Sequence, residues 1–202
     1  MKIQSKSRKY IQLLDSAGRL FMRYGIKRIS VEEICRDAQV SKMTFYRYFD
    51  GKIDIAKTMM TELMEEASAE YRSIMDSDAS WPEKVRKIIR LKLEKTEDME
   101  SEFVRDLMAS PYPELRVLME EWASKNLEML REDFVQGQRK GYLRPDVKPD
   151  FLIFLLNQMR NWAVDPALDG LYSSTKEMTE EMVKFFFYGI LCSPDFKTGR
   201  DR

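Results

Sequence analysis

Between Ser41 and Lys52 the sequence sets cations beside hydroxyls and aromatic edges. On a helix of about 3.6 residues per turn beginning at Lys42, Phe45 and Phe49 share one face and turn toward a core. Met43 and Arg47 then project from the opposite face, with Lys42, Thr44 and Tyr46 at its flanks and N-terminal end. Phosphates accept bonds from such cations and hydroxyls, and base edges accept bidentate and apolar contacts. Lys52 opens the next expected helix, where free N-terminal amides and an ammonium could share one phosphate.

Other chemistries are poorly provided for. The chain has 202 residues, 34 Lys+Arg, 34 Asp+Glu, two Cys and no His. Without histidine, most zinc sites and every imidazole-based mechanism are excluded, and Cys35 and Cys192 have no Cys–His partner. Eight glycines form neither a dinucleotide-binding nor a P-loop fingerprint. Carboxylate pairs such as Glu65–Glu66 and Glu120–Glu121 are neighbours on helix surfaces, where side chains diverge. No catalytic set, cofactor or metal site is expected. Zero net charge conceals an asymmetry: residues 1–57 hold 13 basic and 6 acidic side chains, and the remainder is acidic by the same margin. A basic quarter on an acidic body points to a local anion partner such as nucleic acid or an anionic membrane surface.

The pattern is all-α, with about nine helices. Ser30-Val31-Glu32-Glu33, Ser80-Trp81-Pro82-Glu83 and Ser174-Thr175-Lys176-Glu177 each fit the capping box that starts a helix. Apolar spacing predicts helices over about 6–24, 31–37, 42–49, 52–74, from 81, 97–109, 114–140, 149–163 and 175–192. The short pair over 30–49, separated by Gln39-Val40-Ser41, has the spacing of a helix-turn-helix. Ile29 and Val40 precede the two caps as hydrophobic staples for Ile34 and Phe45. The apolar stretches at 151–156 and 185–192 fall short of the ~20 residues that span a bilayer. The basic first nine residues lead into no apolar segment, so a cytoplasmic protein without a membrane association is expected.

Residues 10–57 resemble the DNA-binding domain of the tetracycline-repressor (TetR) family of transcriptional regulators. The resemblance rests on Ile11, Ala17, Leu20-Phe21 and Gly25, on Ile29-Ser30-Val31-Glu32-Glu33-Ile34, and on Val40-Ser41-Lys42-Met43-Thr44-Phe45-Tyr46-Arg47-Tyr48-Phe49 with Lys52. It implies that Ser30, Ser41, Lys42, Thr44, Tyr46, Tyr48 and Lys52 touch the DNA backbone, and that Met43 and Arg47 approach bases. Two positions depart from the family pattern. Gln39 stands where glycine is usual, so a left-handed backbone there would be strained. Met43 stands where a small residue is usual, which limits how closely the backbone nears a groove.

The resemblance further implies a DNA-binding domain over 1–52 and a helical regulatory and dimerisation domain over 53–202. Helices 149–163 and 175–192 are apolar almost all round and should be buried all round. A two-fold interface between subunits would do that, with Phe151, Leu155, Met182, Phe186, Gly189 and Ile190 in it. The implied cavity for a small hydrophobic or amphipathic ligand has Phe103, Met108, Trp122, Met129, Met159 and Trp162 as candidate lining. The expected function is that of a homodimeric repressor, not an enzyme, which binds a palindromic double-stranded DNA operator and is released by the ligand. The alternatives are a DNA-binding regulator answering to a protein partner or to no ligand, and a helical small-molecule binder or enzyme whose basic end meets an anionic substrate.

Overall fold

The computed structural model describes residues 7–96, 102–109, 112–162, 166–168 and 170–191. Among them are nine α-helices, one 3-10 turn and no β-strand. In chain order these are α1 (Arg8–Tyr24), α2 (Val31–Asp37), α3 (Lys42–Tyr46), α4 (Lys52–Asp76) and α5 (Trp81–Thr96). There follow α6 (Glu102–Ala109), α7 (Pro113–Arg139), α8 (Pro149–Trp162), the 3-10 turn Pro166–Leu168 and α9 (Thr175–Ile190). The third helix is shorter than its apolar spacing suggests, because Arg47 already serves as its C-cap. Cys192 lies outside the described residues.

The helices form two compact units, one from the described residues of 1–70 and 97–122, the other from those of 71–96 and 123–202. In the first, Leu13, Ala17, Phe21, Ile26, Ile34, Phe45 and Ile55 have no exposed surface. They come from α1 through α4, so the short helices α2 and α3 are held by a shared core. Burying each large side chain contributes roughly 1.5–3 kcal/mol, which offsets the low intrinsic stability of helices this short. Ile29, Ile34, Val40 and Phe45, the two expected staple pairs, all belong to this core. Phe103 of α6 joins it, stacked on Phe21 with ring centroids 6.3 Å apart.

In the second unit, Phe134 of α7, Leu143, Leu152 of α8 and Phe186 and Ile190 of α9 form one core. Val85 and Ile89 of α5 meet Val183 of α9 in a smaller cluster. A short-range constraint shapes α7: a Cβ on Gly137 would come 2.8 Å from Leu143 Cδ1 and 3.3 Å from the Trp81 ring. Leu143 is 1% exposed and cannot swing aside, so only glycine lets it seat.

The expected starts of α2 and α5 are observed. The Ser30 N–H donates to Glu33 Oε2 at 2.8 Å while Ser30 Oγ accepts from the Glu33 N–H. At α5 the Ser80 N–H and hydroxyl both donate to Glu83 Oε2, at 2.9 and 2.6 Å. The box at α9 closes differently. Ser174 Oγ accepts from the Glu177 N–H, but Glu177 Oε2 accepts from the N–H and hydroxyl of Ser173 instead.

Candidate nucleic-acid interface

The candidate surface is assembled by two caps and a strained turn. Gln39 has φ +54°, the left-handed backbone its position required, and stands among the described residues as the one non-glycine with positive φ. Conformational strain for an L-residue there is about 1–2 kcal/mol, and the core on both sides of the turn outweighs it. Ser41 caps α3, its Oγ accepting from the Thr44 N–H at 3.2 Å and lying 3.0 Å from Thr44 Oγ1. Phe45 and Phe49 then enter the core, tilted against each other at 5.6 Å.

The opposite face of α3 is open. Met43 is 85% exposed and Tyr46 56% exposed, while Lys42 and Arg47 are exposed beside them and Thr44 is half-buried. Tyr46 stands edge-on to Phe45, the ring centroids 5.4 Å apart. Arg47 lies over the Tyr48 ring, its Cζ 5.1 Å from the centroid, and its Nη2 donates to Tyr48 Oη at 3.2 Å. Tyr48 Oη is also 2.7 Å from Ser7 Oγ, the N-cap of α1. The Ser7 bond and the Arg47 cation together hold the Tyr48 phenol below its ordinary value.

Two residues missed by the sequence reading shape this face. Glu32 of α2 pairs with the Lys42 ammonium, raising the lysine's proton affinity and lowering that of the carboxylate. Asp37 accepts from Ser16 Oγ at 2.6 Å and from Arg19 Nη2 at 2.7 Å, pinning α2 to α1. The Ser16 hydroxyl, foremost, and the Arg19 cation lower the Asp37 carboxyl's pKa. An acidic partner ten residues before Lys42 leaves no periodic signature.

The remaining expected contacts sit differently. Ser30 is half-buried and its hydroxyl donates to Glu33 Oε2 at 2.7 Å, within its own capping box. Lys52 Nζ donates to the carbonyls of Ile26, Ile29 and Lys27 at 2.9, 3.1 and 3.4 Å.

The other expected sites divide between the units. Phe103 is buried in the first unit's core, and Trp122 is half-buried in the same unit; the Met108 side chain lies outside the described residues. In the second unit Met129 and Met159 are half-buried, Trp162 is 40% exposed, and Arg72 Nε lies 3.1 Å from Met129 Sδ. A cleft of about 260 Å³ in this unit is lined by none of these six. Its walls include Met75 and Asp76 at the end of α4, Trp81 and Lys84 of α5, Gly137 of α7, and Tyr142. Trp81 and Tyr142 stack at 5.5 Å, and the buried Trp81 indole N–H has no protein acceptor among the described residues. Asp133, also on its wall, accepts from Tyr71 Oη at 2.8 Å and from Arg72 Nη1 at 3.2 Å.

Helices α8 and α9 are not buried all round. Phe151, Phe154, Phe185 and Tyr188 are 55–78% exposed, whereas Phe186 and Ile190 lie within their own chain's core. Two of the residues expected to meet a partner subunit therefore have almost no surface to offer one. Leu155 and Met182 are half-buried, and Gly189 is exposed.

A capped, core-anchored pair of short helices with a cationic outer face is a helix-turn-helix, and its carrier is a DNA-binding transcriptional regulator. Residues 13–59 match the profile of "Bacterial regulatory proteins, tetR family". The match spans most of α1, all of α2 and α3 and the start of α4, the segment that carries the helix-turn-helix. The HTH-type transcriptional repressor KstR2 of Mycobacterium tuberculosis is 24% identical over 144 residues, 70% of this chain and 72% of the relative. Among solved structures, the fatty acid degradation regulator FadR from Bacillus halodurans superposes with TM-score 0.71 at 20% identity, covering 92% of this chain and 98% of that one. A putative transcriptional regulator from Saccharomonospora viridis in complex with choline gives 0.72 at 19% identity, covering 94% and 100%. At these identities the two structures speak to the fold.

Proposed function

We propose that this regulator is a cytoplasmic homodimeric repressor that binds a palindromic operator through α3 and is released by a small hydrophobic or amphipathic ligand. The observation that carries it is the open face of α3, where Lys42, Met43, Tyr46 and Arg47 surround no core of their own. In this reading Lys42, Ser41, Thr44, Tyr46 and Tyr48 hold phosphates, Arg47 hydrogen-bonds base edges, and Met43 meets a thymine methyl. Ser30 takes part through its cap. Residues 1–52 form the DNA-binding domain and 53–202 the regulatory and dimerisation domain. The activity is binding, with no chemical step. Repression is supported by the KstR2 relative, which is described as a repressor.

The exposed aromatics of α8 and α9 support the dimer. Phe151, Phe154, Phe185 and Tyr188 are large aromatic side chains exposed on these two helices of one unit, and exposed apolar surface of this kind marks an interaction site. Phe151, Phe154, Phe185 and Tyr188 then form its centre, with Leu155 and Met182 at its margin and Gly189 allowing close approach. For the ligand, the cleft beside Trp81 and Tyr142 combines an aromatic wall with an indole donor that no protein group occupies.

Selection of double-stranded DNA from a randomised pool tests the reading. A two-fold dimer should enrich a pseudo-palindrome whose half-sites are centred about 34–36 Å apart, one helical turn. Enrichment of no sequence, together with a shallow salt dependence, would instead mark a binder of small anions. A ligand that releases the operator must itself bind more weakly, by the same factor, to the protein–DNA complex.

A further inference from the structure

We infer that Lys52 and Asp106 are positioning residues for DNA reading, which together clamp the loop that launches α2, and that Lys52 is not a phosphate ligand. The inference deepens the proposed DNA-reading function and rests on it. The loop runs from Gly25 to Ile29, between α1 and the Ser30 cap of α2. A loop has no helical ladder to satisfy its backbone groups, so each one that is covered needs a partner from elsewhere.

Two oppositely charged side chains supply those partners. Lys52, at the first position of α4, directs its ammonium at the carbonyls of Ile26, Lys27 and Ile29. An ammonium carries three N–H groups, so all of its donors are engaged. From the other side Asp106 of α6 accepts the Lys27 N–H on Oδ2 at 2.8 Å. Gly25 lets the carboxylate come this close. A Cβ there would stand 2.3 Å from Asp106 Oδ2, and φ of +79° favours glycine in any case. Behind the clamp, Phe21 stacks on Phe103, so α6 is packed against α1 as well as bonded to the loop that follows it.

The start of α4 is also less open to an anion than a bare helix N-terminus would be. Asp54 lies in its first turn, and Asp54 Oδ2 accepts the Asp50 N–H at 3.0 Å. A carboxylate already occupies the positive end of the helix, where a second anion would be repelled. The geometry therefore gives Lys52 the work of setting where α2 begins, and through α2 where α3 points. Asp106, 79 residues from Lys27, ties α6 to the same loop.

The test compares Lys52→Met, Asp106→Ala and Asp106→Asn with the wild-type chain on two duplexes, the sequence enriched by selection and a scrambled one. Positioning predicts that Lys52→Met and Asp106→Ala each lose about tenfold on the selected duplex, the scale of a charged hydrogen bond. Scrambled-duplex binding should stay within about twofold, with an unchanged slope of log affinity against log salt. Asp106→Asn keeps an acceptor for the Lys27 N–H and should bind nearly as wild type. Amide exchange gives a readout without DNA: the Lys27 N–H should exchange at least about tenfold faster in Asp106→Ala than in wild type. A slope lowered by about one per protomer in Lys52→Met, with equal loss on both duplexes, would make Lys52 a phosphate ligand and overturn the inference. Equal losses at unchanged slope with a lowered melting temperature would reduce both residues to fold support and overturn it too. Unchanged operator binding in both variants would do the same. A wild-type chain that enriches no duplex defeats the DNA reading itself, a result separate from all of these.

Discussion

The two compact units place their phenylalanines differently. In the first, Lys42 and Arg47 face outward around α3 beside Met43 and Tyr46, while the phenylalanines are turned into the core: Phe45 and Phe49 are at most 2% exposed. In the second, α8 and α9 turn aromatic bodies outward, with Phe185 at 78% and Phe154 at 59%. Surfaces of the first kind attract a polyanion and remain stable in water alone. Surfaces of the second kind are covered by apolar partners. Under the proposed function the first unit meets a nucleic acid and the second a protein surface.

Neighbouring phenylalanines of α9 give the largest contrast. Phe186→Glu should unfold the second unit, because an ionised carboxylate without a partner in that core costs several kcal/mol. Phe185→Glu should leave the melting temperature of the monomer nearly unchanged and abolish the dimer in light scattering. If Phe185→Glu stayed dimeric with wild-type affinity, the outward face of α9 would not be the interface.

A smaller effect separates two glycines of the same unit. Gly137→Ala should destabilise by about 1–2 kcal/mol, since overpacking against buried Leu143 outweighs the gain in helix propensity. At Gly189 a Cβ meets nothing within 4 Å, so Gly189→Ala should not destabilise the monomer. Denaturant titration of both variants measures the difference.

In the first unit the strained turn can be relaxed. Gln39→Gly should stabilise by up to about 1 kcal/mol, the left-handed strain less the added unfolded-state entropy of glycine. Gln39→Val should destabilise, because a β-branched residue is strongly disfavoured at positive φ. The smallest expected effect concerns Glu32. Releasing Lys42 from its carboxylate by Glu32→Gln should raise DNA affinity about twofold at low salt, the scale of one exposed ion pair. Fluorescence anisotropy at rising salt should show that gain fade as screening grows.

What could be read from the sequence was local. The bounds of α2, the capping box at Ser30 and the inward pair Phe45 and Phe49 all follow from neighbours within a turn or two, and the left-handed turn at Gln39 followed from the family resemblance. Longer-range features did not follow. An apolar run marks α8 and α9 as hydrophobic, but which aromatics turn inward depends on Phe134 and Leu143, which one periodicity does not contain. Lys52 reads as a cation at a helix start; that three carbonyls 23–26 residues earlier would take its protons is a tertiary fact. Asp106 had no signal at all. The cleft by Trp81 was likewise hidden, since its walls come from separated segments, while methionine and tryptophan counts pointed elsewhere.

Under the proposed function, one face of α3 divides into a phosphate-holding part and a base-reading part. The most direct measurement is the affinity of Lys42→Ala and Arg47→Ala for the selected duplex and its scrambled counterpart across a salt series. Lys42→Ala should weaken both duplexes by the same factor and lower the salt slope by about one per protomer. Arg47→Ala should weaken the selected duplex by about 1–3 kcal/mol, relax the preference at specific base pairs, and reduce the difference between the two duplexes. Wild-type affinity for both duplexes in both variants would contradict the assignment of α3 as the reading helix.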